Sequence, residues 1–513
     1  MQDLQHLVSI VKKKSQRSLQ LVNYNFRKKE TSKDNLLYQG IVNTSFTSDE
    51  DAARAIFRVD PGNRNYRNAK GKLRTKLLNH LFFLDYEKAS YTLYERVRYD
   101  SEKTLLQCKI LINEGAADIA LRILPTLLRT AKEFELYGVA VSAARLLRDQ
   151  YALIGKLTPF EEASDDLRTY EEKLASYERC QTLLHQSLVH VNKSVSAQKR
   201  ILSEIPTSIA HIRREAKKHR SNTLDVLASQ LELVCNGMER RFADNIKLCT
   251  QLEKQYLKGA NDTVRVPLSK KQIALAKAYA YLNAPSGSQG VAYAKSALKL
   301  FRPSGLDWFS FAEHYFLLLM REERYEEARA LFRKVRTNKN YSALEEADAQ
   351  RWFIYRAYLI FFNDAKILRW GFNLDEFTHQ PPAFENDSFT IAARVAQCLF
   401  LLREGRVEEV KTCVAKLSEY KSSHLDKRHN YRSSIFIRLL EIMVEKEFDF
   451  ERVSEKGNSY YKKLIRNNIP NELATEVEVV PYQKLWMHLL SILRVHKVYL
   501  HYRFYHTKVD QMA

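Results

Sequence analysis

Residues 325–332 read Tyr325-Glu326-Glu327-Ala328-Arg329-Ala330-Leu331-Phe332. Tyr325, the small Ala328 and the large Phe332 stand three and four residues apart, which is the spacing of one helical face. A related segment lies upstream: Ala294, followed by Leu298, Phe301 and Pro303, sits 34 residues before Ala328. Gly405 with Val410, Val414 and Leu417 repeats the pattern later, and Gly115 with Ala120, Leu124 and Leu127 shows it earlier. A small residue lets one helix cross close to another, and the larger residue one turn on fills the neighbouring groove. A glycine before the helix allows a tight turn. One such pair cannot bury its own apolar face, so pairs have to stack.

These segments resemble the second helix of the tetratricopeptide-repeat superfamily, whose period is about 34 residues. The likeness covers residues 85–155 and 270–465. It departs from the family pattern in places. Ala312 stands where the first-helix tryptophan is usual, Tyr315-Phe316 replaces the Leu-Gly pair, and Val410 replaces the small alanine. The resemblance implies an all-α, helical-hairpin solenoid. Its repeat-packing residues would be Ala120, Leu124, Ala294, Leu298, Tyr325, Ala328, Phe332, Gly405 and Val410. It also implies a non-enzymatic scaffold, adaptor or regulator that binds a protein or peptide segment on its solenoid surface.

Composition agrees with long helices. Gly (14) and Pro (11) are scarce in 513 residues, and 45% of the chain is hydrophobic. That is apolar enough for a large core, so global disorder is excluded. The longest apolar runs are about six residues, against the roughly 20 that a membrane span needs. The start has no basic n-region or apolar h-region of a signal peptide, so a soluble, cytoplasmic protein is expected. The six cysteines have neither metal nor disulfide-framework spacing and read as reduced, buried thiols.

The pattern divides the chain into a basic helical module (1–83), tetratricopeptide-like hairpins (84–160), a central pair of long helices (161–259), further repeats (270–470) and a C-terminal amphipathic helix (481–508). In the central pair, one helix is expected from about Pro159 to Arg200, and the second from Pro206 to near Gly259. Ser48-Asp49-Glu50-Asp51 reads as a helix start with acids in the first turn. Glu476–Val480 is the one strand-like run and reads equally as an extended linker.

Charge supplies the second line of function. The chain carries 82 Lys+Arg against 61 Asp+Glu, a net +21. Arg64, Arg67, Lys70, Lys72, Arg74 and Lys76 follow one another without an acid and are candidate phosphate contacts. Their helix is expected to turn Leu73, Leu77, Leu78 and Leu81 to the opposite face. Lys12–Lys14 with Arg17, and Arg27–Lys29, add to the same basic region. Arg213, Arg214, Lys217, Lys218 and Arg220 form a secondary basic face. The C-terminal helix interleaves bases with aromatics (Arg494, Lys497, Tyr499, Arg503, Tyr505). Nucleic acid is therefore the alternative partner, each phosphate contact releasing counterions. A basic face can equally meet an acidic protein.

No cofactor or metal is expected. His496, His501 and His506 are five apart and do not share a helical face, and His488 has no partner at ligand spacing. No phosphate-binding loop, nucleophile elbow or HExxH occurs. Trp352, Tyr355, Leu359 and Phe362 form a core stripe. Asn338, Lys339, Asn340 and Tyr341 follow a repeat and read as a loop, or else as polar clamp residues.

Overall fold

The computed structural model describes residues 32–83 apart from 44 and 47, 91–191, 195–259, 263–284, 287–363, 372, 377, 387–425, 431–466 and 478–509. The clusters Lys12–Lys14 and Arg27–Lys29 lie outside these residues, as do the side chains of His496 and everything after it. Every regular element among the described residues is helical, and Glu478–Val480 is not a strand. In chain order the helices are α1 (Lys33–Val42), α2 (Asp49–Phe57), α3 (Arg64–His80), α4 (Leu93–Asn113), α5 (Ala117–Glu133), α6 (Tyr137–Leu153), α7 (Leu157–Val191), α8 (Val195–His219), α9 (Asn222–Met238) and α10 (Phe242–Tyr256). They continue as α11 (Lys270–Asn283), α12 (Ser288–Ala297), α13 (Leu306–Arg321), α14 (Tyr325–Arg336), α15 (Glu346–Asn363), α16 (Asp387–Arg403), α17 (Val407–His424), α18 (Tyr431–Glu445), α19 (Phe450–Arg466) and α20 (Tyr482–Val509).

Helix starts follow local chemistry. Ser48 caps α2, its hydroxyl accepting from the Asp51 amide at 3.1 Å. Thr92 and Glu95 form a reciprocal capping box on α4, and Ser269 and Gln272 repeat it on α11.

Helix ends show one recurring device. At Gly115, Glu135, Gly155, Arg220, Arg240, Glu323, Gly405 and Glu447 the backbone turns left-handed. In each case that residue's amide bonds the carbonyl three back, and the next amide bonds the carbonyl five back. This is the Schellman closure, which satisfies the last carbonyls of one helix while starting the next. Residues 115, 135 and 155 are twenty apart, as are 220 and 240, so helices of similar length follow one another.

These turns correct the expected pair of long central helices. After α7, the segment thought to be one helix from Pro206 to Gly259 is three: α8, α9 and α10. The breaks at Arg220 and Arg240 carry no glycine at the left-handed position; Ser221, whose hydroxyl accepts from the Leu224 amide at 3.0 Å, is the helix-start signal at the first of them. Pro206 lies inside α8 instead of ahead of a helix. There it removes the amide that would have bonded the Leu202 carbonyl and sets its ring against that carbonyl.

The described residues fall into two compact units. One is drawn from Met1–Gln181, Glu215–Leu224 and Gly259–Pro267, the other from Thr182–Arg214, Asp225–Lys258 and Leu268–Ala513. In the first, α4, α5, α6 and the start of α7 enclose Cys108, Ala120, Leu124, Ala140 and Leu167. Helices α1–α3 there enclose a separate small core of Leu37, Ala52, Ala53, Tyr66 and Leu73. In the second unit a continuous core runs from Ala274 to Leu493 and includes Trp352, Phe400, Phe436 and Trp486. Successive helices pack on one another within α1–α3, α4–α6 and α10–α20, and several also touch the next but one: α4 with α6, α11 with α13, α18 with α20.

Candidate interaction surfaces

The residues expected to pack repeats lie mostly in the core. Ala120, Leu124, Ala294, Ala328 and Val410 are fully buried, and Phe332 nearly so. Leu298 and Tyr325 are half-buried against the same core, Tyr325 stacking on Phe362 with ring centroids 5.3 Å apart. Gly405 occupies an exposed turn with φ 73°. Ala120, Ala140, Asn245, Ala328 and Val410 each donate an amide to the carbonyl four back, on the residue that closes a Schellman turn. All five are buried. Asn245 and Ala140 belong to this set and were not picked out by sequence, Asn245 because its polarity hides it. Its amide side chain donates to the Leu233 carbonyl at 3.0 Å.

Trp352, Tyr355 and Leu359 are buried as the stripe required. Asn338 and Asn340 donate to the carbonyls of Pro303 and Ser304 at 2.8 and 2.7 Å. Both therefore tie one turn to another.

The basic α3 is only partly open. Lys70 is held by Asp49 at 2.7 Å, and Tyr66 donates to the same carboxylate at 2.5 Å. Lys76 pairs with Asp34 at 2.6 Å, both largely buried. Burial would raise the Asp34 pKa, but hydrogen bonds from Lys76 and Ser32 win and hold it below the usual carboxylate range. Burial and the Asp49 bond push the Tyr66 phenol up to about 12. Arg64, Arg67, Lys72 and Arg74 are exposed and make no ion pair among the described residues.

The face assignment on α3 changes as well. Arg67, Lys70, Arg74, Leu77 and Leu81 follow at spacings of three, four, three and four, which is one side of a helix. Bases and leucines therefore share a face, divided end to end rather than front to back. Only Leu73 turns fully into the core.

That face borders a groove of about 520 Å³ lined by Leu37, Ile41, Phe46, Ala52, Tyr66, Leu73, Leu77, Leu78 and Leu81, with Lys70 and Arg74 at one end beside Ser48 and Asp49, the carboxylate that pairs with Lys70. Gly40 helps shape this module: a Cβ there would lie 1.8 Å from the Phe46 ring, so only glycine admits the ring. Several large apolar side chains of the module stay in water: Ile41 (54% exposed), Leu78 (52%), Leu81 (50%) and Phe82 (57%).

The secondary basic face is divided. Arg213 is engaged by Asp225 at 3.0 Å and Glu232 at 2.6 Å. Arg214, Lys217, Lys218 and Arg220 are exposed.

Two further clefts have no catalytic pairing. One, about 490 Å³, lies between α4 and α5 and is lined by Asp100, Ser101, Thr104, Arg122, Thr126 and Thr130 among others. The other, about 280 Å³, is lined by Arg336, Tyr341, Glu346, Trp352, Phe353 and Arg356 among others. Among the described residues no cluster of histidine, cysteine and acids could hold a metal. His488 sits against Phe362, ring centroids 4.7 Å apart, and burial lowers its pKa. The most deeply buried charges, Arg432 and Glu478, answer each other at 2.6 Å. No described helix is long and apolar enough to cross a membrane.

Compared with known proteins, the chain matches no family model, no curated protein and no solved structure.

Proposed function

We propose that the chain is a tetratricopeptide-like helical-repeat scaffold that binds a protein or peptide segment and performs no chemistry of its own. The observation that carries this reading is the recurrent hairpin turn, followed at five of the eight turns, four residues past its close, by a buried residue (Ala120, Ala140, Asn245, Ala328 and Val410). Contacts between next-but-one helices support stacked hairpins, an arrangement that presents extended surfaces to partners. The test is reconstitution. Proteins cross-linked to the chain in nuclease-treated extract of its source cells are purified and remixed with it at 150 and 500 mM salt. A stable binary complex at both supports the reading; failure of every candidate to rebind ends it.

A second reading, a nucleic-acid-binding regulator, is favoured by the four exposed bases of α3. With Lys70 and Lys76 engaged, about four phosphate contacts remain, so affinity should fall on the order of 10²-fold between 50 and 200 mM salt. Arg64→Gln, Arg67→Gln, Lys72→Gln and Arg74→Gln together should flatten that dependence. Absence of DNA or RNA binding at 50 mM removes this reading.

A further inference from the structure

We infer that the groove between α1 and α3 is a docking site for an acidic amphipathic helix of a protein partner, with acids over Arg67 and Arg74 and apolar residues over Leu77, Leu78 and Leu81. The inference rests on the scaffold reading in one respect: its occupant is a protein segment. It does not depend on the repeat array.

The groove runs lengthwise. Leu37 and Ile41 on α1 are four apart, as are Leu73 and Leu77 on α3 and Leu81 in the 3-10 turn that continues it, so both walls present rows along their axes. From Arg67 to Leu81 is about 21 Å along the helix, at roughly 1.5 Å per residue. A partner helix of about four turns fits that length and can place side chains at i, i+3, i+4 and i+7 into it. Leucines left in water beside a preformed groove mark an interaction site more than chance exposure does.

Charge selects the occupant. Residues 32–83 carry nine Lys/Arg and five Asp/Glu, so a second copy would bring like charge to like charge. Residues 1–31 carry seven Lys/Arg against two Asp/Glu and are repelled in the same way. A nucleic acid would answer Arg67 and Arg74 and leave the leucines in water. An acidic amphipathic helix answers both halves, the arginines through charge-assisted hydrogen bonds and the leucines by burial.

The test uses the full chain and a fluorescein-labelled, helix-forming 16-residue peptide with glutamates on one half of one face and leucines on the other half. Two control peptides carry lysine for glutamate or the same composition scrambled. Anisotropy is read at 100 mM salt, and circular dichroism confirms that every variant keeps its helix content. The acidic peptide should bind at least tenfold more tightly than either control. Leu78→Ser with Leu81→Ser should weaken it tenfold or more. Arg67→Glu with Arg74→Glu, both in solvent, should do likewise and improve the lysine peptide. Lys218→Glu, outside the module, should change affinity less than twofold.

Equal binding of acidic and scrambled peptides overturns the inference, as does unchanged affinity in the leucine variant. Sedimentation showing a dimer that Leu78→Ser with Leu81→Ser dissolves would assign the groove to a second copy instead. If the peptide fails while a reconstituted protein complex survives, only the groove assignment falls. If the peptide binds and no partner reconstitutes, the scaffold reading falls alone.

Discussion

Glu135 closes one helix and opens another. It sits in the left-handed region, φ 53°. Its carboxylate accepts from the Ser221 hydroxyl at 2.7 Å and from the amides of Asn222 and Thr223 at 2.9 and 2.8 Å, capping α9 from far along the chain. Burial would raise its pKa, but the Thr223 amide, the Ser221 hydroxyl and the Asn222 amide together lower it. A depressed pKa means stability that is present above the unfolded value, about 4.3, and lost as pH falls through the folded one. Glu135→Gln should cost about 1.5–3 kcal/mol at pH 7, and the gap to wild type should shrink at pH 3.5 in urea melts. Arg432 is the other exacting residue. It donates to both Glu478 oxygens at 2.6 and 3.0 Å, to Gln483 at 2.7 Å and to the Leu464 carbonyl at 2.9 Å. Arg432→Met strands a buried carboxylate and should lower stability by about 3–5 kcal/mol. Adding Glu478→Leu should recover part of the loss in the same urea midpoint.

At the scale of elements, helix crossings and helix ends obey different rules. Gly457 lies where α19 meets α18 and α20: a Cβ would stand 2.7 Å from Trp486 and 3.3 Å from Leu439. Gly457→Ala should destabilise by about 1–3 kcal/mol through overpacking and alter tryptophan emission. Gly237, inside α9, has nothing within 4 Å of a Cβ. Gly237→Ala should stabilise by about 0.5–1 kcal/mol, and thermal melts of the two variants should move in opposite directions. Buried positions such as Ala120, Ala294 and Ala328 were legible because each recurs with a large apolar residue four places on (Leu124, Leu298 and Phe332). Ends were legible at Gly115, Gly155 and Gly405. They were less legible at Glu135, Arg220, Arg240, Glu323 and Glu447, where a residue with a Cβ takes the left-handed turn that glycine usually marks. The groove was half legible. The leucines and arginines of α3 were seen, but Ile41 and Phe46 join them only through packing between helices.

At the scale of the molecule, the thiols are shielded and basic charge among the described residues is displayed. All six cysteines are buried. Burial pushes the Cys180 thiol up to about 11 and that of Cys249 to about 12, which leaves almost no thiolate at neutral pH. Native protein at pH 8 should therefore resist iodoacetamide, with all six sites modified only after denaturation, as mass spectrometry would count. Modification of any one in minutes would show an opening that the packed structure does not contain. The charge is unevenly engaged: Lys70, Lys76 and Arg213 are committed to acids, whereas Arg67, Arg74, Lys217 and Lys218 face solvent.

The interleaving of the two units sets a timetable for synthesis. The unit that begins the chain also needs Glu215–Leu224 and Gly259–Pro267. Ser221 donates to the Glu135 carboxylate that caps α9, and the Val264 carbonyl accepts the Tyr94 amide at 2.9 Å. A ribosome adding about 5–20 residues per second delivers these pieces several seconds after Gln181. During that interval the nascent first unit has a Glu135 carboxylate without its donors and an unfilled edge, so a chaperone or the ribosome surface would meet it before its own later segments do. Cutting the gene after Gln181 would make that passing state permanent.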